Sequence, residues 1–499
     1  MKKYIYAAAL FASSLSMNSC VSLDQDPQSF LRFETFPKDA SNLASAADAL
    51  YVDLWNGNYG LNCRLQRINV GADDVTYRAA KPNNPLALIE DLYPNITQND
   101  ADFSTLWSLF TKAIYDSGKI ITETPVNEAD NSKEAVALRA VVGEAYFVRG
   151  LSYFYLVRLF GDLPLILTPE DAEKKDMQRV AVADIYDKAI VPDMERAVKW
   201  LPATSRTKDA STPSKWAAEA ALGDIYMTMA GWPLNKGKEY YAKAESVLGD
   251  AIQNSGLKLA THYADLWKEA NKTTEKEFLF GIMHSNANKK ASNYGKSYYP
   301  SDFAPNAGWS DYYASEKFYL AYPNDERKAH NFMTEWNTKK GVVNYKKSAD
   351  KLPAISKYYD YNDGLPGKSA QSNGITCIYR YADILLMYAE ASVRATNSVS
   401  AKATNALQEV QKRAQGYADD ATVTTTTNPS EFLNAVFDEN GWEFFAEMRR
   451  WFDLVRLEKL KDVKPTEWAN SLFKANNHYY FPVPYTQIEL TNWANNAGY

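Results

Sequence analysis

The sequence has few of the residues that metal centres and disulfide frameworks need. Only 3 cysteines and 4 histidines occur among its 499 residues. The histidines are His262, His284, His330 and His478. This scatter predicts neither a metal cluster nor a histidine-based catalytic triad. Cys63 and Cys377 are also far apart, so no disulfide framework is expected, and no cofactor is predicted.

Excess positive charge is lacking too. Lys and Arg total 55 against 61 Asp and Glu, which gives a formal net charge of -6 and a pI near 5.5. A mildly acidic chain without a basic patch has no electrostatic attraction for nucleic acid or anionic lipid. Nucleic acid is therefore excluded as the expected partner, and any attachment to a membrane must come from a covalently bound lipid.

Aromatic residues are abundant. The chain has 34 tyrosines and 12 tryptophans, and 13% of its residues are aromatic. Tyr and Trp combine a flat apolar face with a polar edge, which suits both protein cores and hydrated recognition surfaces. Composition alone does not choose between these two uses.

The N-terminus has the layout of a bacterial lipoprotein signal. Lys2 and Lys3 precede an apolar stretch at residues 4–15, and small residues lead to Cys20. The apolar stretch is too short to span a bilayer, and no other stretch is typical of a transmembrane helix. We therefore predict a signal peptide at 1–19 and acylation of Cys20, which anchors the mature chain 20–499 through lipid. The alternative is a secreted protein with an incidental cysteine.

Helical periodicity dominates the rest of the chain. A continuous apolar stripe predicts a buried helix over residues 133–160, ended by Gly161 and Pro164. A second helix is predicted over 185–201, with a kink or break at Pro192. Signals for β-strands are sparse, so the predicted fold class is mainly α.

Two segments have the spacing of tetratricopeptide-like helical hairpins. Leu222, Gly223 and Tyr226 match the first helix of such a repeat, and Ala244, Leu248 and Ala251 match the second. Small residues there allow close helix approach, while Tyr226 and Leu248 fill the gap. A second hairpin is predicted over residues 379–414. The chain therefore resembles a helical repeat scaffold with irregular insertions.

The insertions are placed at about 23–100 and 263–374, where helical periodicity fails and long loops with short strands are expected. Further on, Ser430 is the predicted N-cap of the last core helix. That helix is expected to run through Phe444, Met448, Trp451 and Val455 on one stripe. The run 364–369 is interpreted as a turn rather than a phosphate loop.

An enzymatic alternative rests on two carboxylates. Glu443 and Glu447 are one helical turn apart, a spacing that lets their carboxyl groups approach the separation used by retaining glycosidases. An acid catalyst needs a raised pKa, whereas adjacent guanidinium groups lower it. Because Arg449, Arg450 and Arg456 follow, paired structural carboxylates are the favoured interpretation, and no catalytic residue is predicted.

Five strings together resemble one family, the SusD/RagB outer-membrane nutrient-binding lipoproteins of Bacteroidetes. They are the lipoprotein start, RGLSYFYLVRLFGDLPL at 149–165, YRYADILLMYAEA at 379–391, the segment from Glu443 through RWFDLVR at 450–456, and YFPVP at 480–484. Asp24 and Asp26 resemble the acidic export signal of surface lipoproteins in that phylum. The resemblance covers nearly the whole chain and implies a single domain over 20–499.

The resemblance implies a function and a partner. Its members sit as lids over a SusC-like TonB-dependent β-barrel transporter in the outer membrane, facing the extracellular side, and most bind oligosaccharides. The implied function is oligosaccharide binding and delivery to that transporter. The alternatives are a peptide-binding member of the family, a surface glycoside hydrolase, or a purely adhesive repeat protein.

Two places have the chemistry that a glycan site needs, which is an exposed aromatic face beside polar groups that bind hydroxyls. One is the polar loop with Asp73, Asp74, Tyr77 and Arg78, which resembles the family's ligand-contacting loop. The other has Tyr294 and Trp309, in strings that resemble those holding the family's binding aromatics. The alternatives are loop packing for the aromatic residues and local ion pairs for the charged ones.

Overall fold

The computed structural model describes residues 39–55, 61–78, 92, 97–305, 307–359 and 371–499, and helices dominate it. In chain order the helices are α1 (Ala40–Trp55), α2 (Leu61–Asn69), α3 (Ala101–Glu123), α4 (Lys133–Phe160), α5 (Pro169–Ala172), α6 (Val182–Ile185), α7 (Val191–Trp200), α8 (Lys215–Ala230), α9 (Lys238–Asn254), α10 (Tyr294–Tyr298), α11 (Glu316–Ala321), α12 (Glu326–Asn331), α13 (Tyr381–Thr396), α14 (Ala401–Ala414), α15 (Pro429–Glu443), α16 (Arg450–Arg456), α17 (Leu460–Val463), α18 (Pro465–Ala469), α19 (Leu472–Asn476) and α20 (Tyr485–Thr491). The predicted mainly-α class is confirmed. None of these helices is long and apolar enough to cross a membrane, within the ranges just given.

The strands are short and pair only two by two in the described ranges. They are β1 (Val75–Tyr77), β2 (Leu163–Pro164), β3 (Arg179–Val180), β4 (Phe278–Met283), β5 (Tyr312–Ala314), β6 (Phe332–Met333), β7 (Glu335–Thr338), β8 (Gly341–Asn344), β9 (Ala354–Ile355) and β10 (Ile375–Arg380). The pairs are antiparallel: β1 with β5, β2 with β3, β4 with β10, β6 with β9 and β7 with β8. Most strands lie between 263 and 380, as expected of the second insertion.

Helix α4 has the predicted bounds, and local signals explain both ends. The Ser132 hydroxyl accepts a hydrogen bond from the Ala135 amide at its start, and Gly161 ends it with a φ of 73°. The predicted interruption near Pro192 is also present. A π-helical turn at Tyr186–Ile190 separates α6 from α7, which begins with the proline in its first turn.

Both predicted hairpins are confirmed, as α8 with α9 and as α13 with α14. A Cβ on Gly223 of α8 would lie 2.5 Å from the Leu248 Cδ2 of α9, so only glycine allows this helix approach. Ala244 and Ala251 are fully buried beside it. Helix α9 also packs closely on α13, where Gly249 faces Tyr388. These helices form the scaffold against which the irregular segments pack.

The C-terminal core helix is not continuous, contrary to our prediction. Helix α15 ends at Glu443, and α16 begins only at Arg450. Between them Ala446 and Met448 have positive φ angles of 58° and 62°. The predicted stripe residues are nevertheless buried. The predicted N-cap is wrong as well, because Asn428 caps α15 instead of Ser430.

The first insertion is more helical than predicted. Helix α1 occupies residues 40–55, where we expected loops and short strands. Its inward stripe consists of Leu43, Ala47, Leu50 and Leu54, each at most 1% exposed. That spacing is helical, so the sequence did carry the signal. The turn expected at 364–369 lies outside the described residues.

Candidate functional site

A short antiparallel ribbon brings the two predicted binding segments together. In it, Val75 of β1 pairs with Ala314 of β5, and Tyr77 pairs with Tyr312. The ribbon continues by one bond, since the Arg78 amide donates to the Asp311 carbonyl at 3.1 Å. Arg78 and the loop before β5 are therefore neighbours, although 231 positions separate Arg78 from Trp309.

Trp309 is presented at the surface by a loop with a fixed backbone. Its side chain is 37% exposed, and its amide donates to the Lys296 carbonyl at 2.6 Å. On one side, a Cβ on Gly308 would lie 2.2 Å from the Tyr299 carbonyl oxygen, so this position requires glycine. On the other side, the Ser310 amide donates to that same carbonyl at 3.1 Å. The backbone that carries the indole is thus held by hydrogen bonds on both sides.

Two cationic side chains contact Trp309, one at its ring and one at its backbone carbonyl. The Lys296 ammonium lies 5.4 Å from the centroid of the Trp309 ring. The Arg78 Nη1 donates to the Trp309 carbonyl at 3.2 Å, and its guanidinium lies 5.9 Å from the Tyr77 ring centroid. The result is an exposed aromatic face bordered by hydrogen-bond donors. We call Trp309, Arg78 and Lys296 the platform.

Tyr77 and the two aspartates lie deeper than the platform. Tyr77 is 2% exposed and Asp74 is 1% exposed, and the Tyr77 ring packs edge-on against Tyr312 at 6.0 Å. Asp73 binds Arg450 with both carboxylate oxygens, at 2.8 and 3.1 Å. Asp73 therefore forms an ion pair, as in the alternative interpretation, but its partner is 377 positions away.

Asp74 is buried and connects the start of β1 to two other segments of the chain. Its carboxylate accepts hydrogen bonds from the Asn69 side-chain amide at 3.0 Å and from the Ala446 backbone amide at 3.1 Å. Burial raises the pKa of Asp74 to about 6, and the charge of Asp73 adds to the rise. Asp74 therefore ties α2 and the break after α15 to the start of β1.

Two predicted residues have side chains that the structure does not describe. Tyr294 begins α10, two residues before Lys296, but its side chain lies outside the described part. Cys20 also lies outside the described residues. Both stay predictions.

Glu443 and Glu447 lie in a buried network of charges, not at a surface. The Glu443 carboxylate binds Arg380 at 2.5 Å, Arg327 at 2.8 Å and also Arg413. Burial alone would raise the pKa of Glu443, but the three guanidinium groups hold it well below its usual range. Glu443 is fully buried and Glu447 is 5% exposed. A carboxyl group in this setting neither reaches a substrate nor donates a proton near neutral pH.

The sequence indicated paired carboxylates but not these partners. Arg449 instead pairs with Asp383, and Arg450 pairs with Asp73. Lys296 was also missed, although it follows Tyr294 by two positions. Among the described residues, no group of three or more His, Cys, Asp or Glu side chains is arranged to hold a metal ion.

Comparison with known proteins identifies the family. The model described as "Starch-binding associating with outer membrane" matches residues 64–227, and the SusD family model matches residues 276–499. The chain belongs to the SusD family. It is 27% identical over 534 residues to SusD-like protein P2 of Formosa agariphila, and the alignment covers 100% of both chains.

Solved structures share the fold of this family member. A SusD homolog from Bacteroides thetaiotaomicron has a TM-score of 0.81 at 19% identity, covering 93% of this chain and 98% of its own. Surface glycan-binding protein A from the same species, in complex with laminarihexaose, has a TM-score of 0.73 at 18% identity. That match covers 92% of this chain and 99% of the other. The family-typical architecture therefore extends over nearly the whole chain.

Proposed function

We propose that this protein is a cell-surface lipoprotein that binds oligosaccharides and delivers them to a SusC-like TonB-dependent outer-membrane transporter. The observation that carries the binding proposal is the platform, an exposed indole held by backbone hydrogen bonds between two cationic side chains. A sugar ring stacks its carbon-bound hydrogens on such a face, while Arg78 and Lys296 donate to hydroxyl oxygens. Family membership supports the transporter as partner.

The proposed contacts follow from the depth of each side chain. Trp309 and Arg78 contact the sugar directly, and Tyr294 stays a predicted ligand contact. Asp73, Asp74 and Tyr77 hold the ribbon from beneath. The protein has no catalytic role in this proposal, because Glu443 and Glu447, the carboxylate pair considered for catalysis, are buried among arginines.

The binding test is calorimetric titration of the mature protein with a panel of soluble glycans and peptides, followed by the same titration of Trp309→Ala. Loss of one aromatic stacking contact weakens binding by about 10-fold or more. Tyr115→Ala is the matched control, because Tyr115 is 38% exposed but lies on α3. Unchanged affinity of Trp309→Ala, or binding of peptides alone, contradicts the proposed site or ligand. Release of reducing sugar from a bound glycan contradicts the non-catalytic role.

Anchoring and partnership need cells. Cys20→Ala should release the protein from the outer-membrane fraction or leave an unprocessed precursor, because the lipid is the proposed attachment. A tagged wild-type protein should co-purify with a β-barrel transporter from solubilised outer membranes. Normal processing and membrane association of Cys20→Ala would contradict the anchor, and absence of any barrel protein would contradict the partnership.

A further inference from the structure

A second concave surface lies at the other end of the β1·β5 ribbon. It is a cleft of about 650 Å³, within the range of about 300 to 1,000 Å³ typical of ligand sites. Its walls come from the segments before and within β1, from α11, from the end of α15 with the start of α16, and from α17 and α18. We call this surface the cleft. It adjoins the ribbon at Asp73 and Thr76, whereas the platform adjoins the ribbon at Arg78.

The cleft combines aromatic faces with fixed polar groups. Phe437 and Trp442 are half-buried in its wall, and Phe318 is 8% exposed. The Arg450 guanidinium lies 4.1 Å from the Phe437 ring centroid and donates to the Phe437 carbonyl at 3.1 Å. Together with the bidentate bond to Asp73, these contacts fix Arg450 before a ligand binds. Aromatic rings beside oriented donors and acceptors are the chemistry that binds a sugar.

The charges of the cleft almost cancel. Its cationic side chains are Lys317, Arg450 and Lys464, and its carboxylates are Asp73, Asp438, Asp462 and Glu467. A site for a sulfated or uronic-acid glycan needs an excess of cations, since an anion brought near these carboxylates is repelled. The near balance favours an uncharged, hydroxyl-rich ligand.

The cleft and the platform both adjoin β1. Thr76 lines the cleft and Arg78 contacts the Trp309 loop. Residues two apart in a strand project to the same side, and they are about 7 Å apart along it. A short oligosaccharide spans the separation of Thr76 and Arg78, so one ligand that contacts Arg78 is long enough to reach the cleft.

We propose that the cleft is a second subsite, which takes the extension of the same neutral oligosaccharide that stacks on Trp309. This inference rests on the proposed glycan-binding function. It adds that the ligand is uncharged and that it has a minimum length, because only an oligosaccharide that extends beyond the platform reaches Asp438 and Trp442. The gain in affinity with chain length is therefore located at the cleft.

The test blocks the cleft without touching the platform or the core. Ala321 lines the cleft and is exposed at the end of α11, so Ala321→Trp fills it from the rim. Leu320→Trp is the matched control, because its neighbour Leu320 is 65% exposed and is not part of the cleft wall. Asp438→Asn is a second variant, which removes the negative charge of a cleft carboxylate with little change in volume.

The probes are the disaccharide and hexasaccharide of whichever neutral glycan binds in a panel of laminarin, xyloglucan and starch. The wild-type protein should bind the hexasaccharide about 10-fold more tightly than the disaccharide, or better. Ala321→Trp should abolish that advantage and leave disaccharide affinity unchanged. Asp438→Asn should reduce the advantage several-fold, Trp309→Ala should weaken both probes, and Leu320→Trp should match the wild type.

The failures of the two proposals are distinguishable. If Trp309→Ala weakens binding while Ala321→Trp and Asp438→Asn bind the hexasaccharide normally, the cleft is not a subsite and the proposed function stands. A marked preference for a uronic-acid or sulfated hexasaccharide over the neutral one contradicts the proposal that the ligand is uncharged. If no glycan binds at all, the proposed function fails and the subsite fails with it.

Discussion

The buried charge network makes a sharp prediction for Glu443→Gln. The Glu443 carboxylate accepts hydrogen bonds from Arg327 at 2.8 Å, from Arg380 at 2.5 Å and from Arg413, and every one of these side chains is at most 1% exposed. The substitution keeps the shape but removes the charge, so three guanidinium groups lose the counter-ion that they share. Each keeps another carboxylate, Glu439 for Arg327 and Glu277 for Arg380 and Arg413. Breaking a buried ion pair by removing one partner costs about 3 to 5 kcal/mol. We expect the free energy of unfolding to fall by that amount.

The pH dependence of stability gives a second, independent readout of the same residue. The folded-state pKa of Glu443 is depressed below that of the unfolded chain, which is about 4.3. Its contribution is therefore fully present above the unfolded pKa and is lost as the pH falls through the folded pKa. Below about pH 5, protonation of Glu443 should lower the free energy of unfolding of the wild type, an effect that Glu443→Gln lacks. The difference in free energy of unfolding between the two proteins should therefore become smaller.

The assay is guanidinium chloride unfolding of both proteins at several pH values. Glu239→Gln is the control, because Glu239 has a side chain that is 72% exposed and pairs only with Lys243 one helical turn away. That surface pair is worth at most about 0.5 kcal/mol. A loss below about 1 kcal/mol for Glu443→Gln would refute our account of the network. Lost hydrolysis with unchanged stability would instead favour the glycosidase alternative.

Three further predictions concern the core, the ribbon and the platform loop. Trp451→Ala should lower the free energy of unfolding by about 3 to 5 kcal/mol, because Trp451 is 1% exposed. Trp309→Ala should lower it far less, and melting curves of both variants test this contrast. Burial raises the folded-state pKa of Asp74 to about 6, so its ionisation should lower the free energy of unfolding as the pH rises from about 4 to about 6. The loss should be at most about 3 kcal/mol. Asp74→Asn should lack this loss when stability is measured against pH. Gly308→Ala should weaken glycan binding, because its Cβ would lie 2.2 Å from the Tyr299 carbonyl oxygen and displace the loop; titration against wild type measures it, and full affinity would show that the loop tolerates the shift.

Local signals explain what the sequence predicted well. The bounds of α4 follow from Ser132 and Gly161, which act on the turns next to them. The hairpin of α8 and α9 follows from the small residue at 223 opposite Leu248, because a repeat encodes its own packing. Such features need no information from distant parts of the chain.

The break after α15 could not be predicted in this way. The residues around 444–449 continue a helical apolar stripe, and neither proline nor glycine occurs between Glu443 and Arg450. Distant side chains satisfy the broken backbone instead. Lys357 donates to the Phe445 carbonyl at 2.7 Å, Tyr358 donates to the Ala446 carbonyl at 3.0 Å, and Asp74 accepts from the Ala446 amide. Tertiary contacts override local propensity here.

The arrangement of the candidate site also depends on contacts between distant parts of the chain. Composition and spacing selected Trp309 and Arg78, but only the pairing of β1 with β5 makes them neighbours. The depth of Tyr77 depends on that pairing as well, because Val75 and Tyr77, alternate residues of β1, face inward. Asp74 is buried instead by its bonds to Asn69 and Ala446. The role of Asp73 depends on Arg450, which lies 377 positions away. A single sequence contains no measure of such distances.

The break and the ribbon together connect the platform to the core. The backbone between α15 and α16 is held on one side by the charge network, through Lys357 and Glu447 at 2.6 Å, and on the other side by Asp74. Asp74 in turn fixes the start of β1, and β1 fixes the loop of Trp309 through Arg78. A preorganised aromatic face binds with little ordering cost, since neither loop nor side chain must be immobilised by the ligand. Core variants that loosen the break should therefore weaken glycan binding even while the protein stays folded, which separates positioning from mere stability.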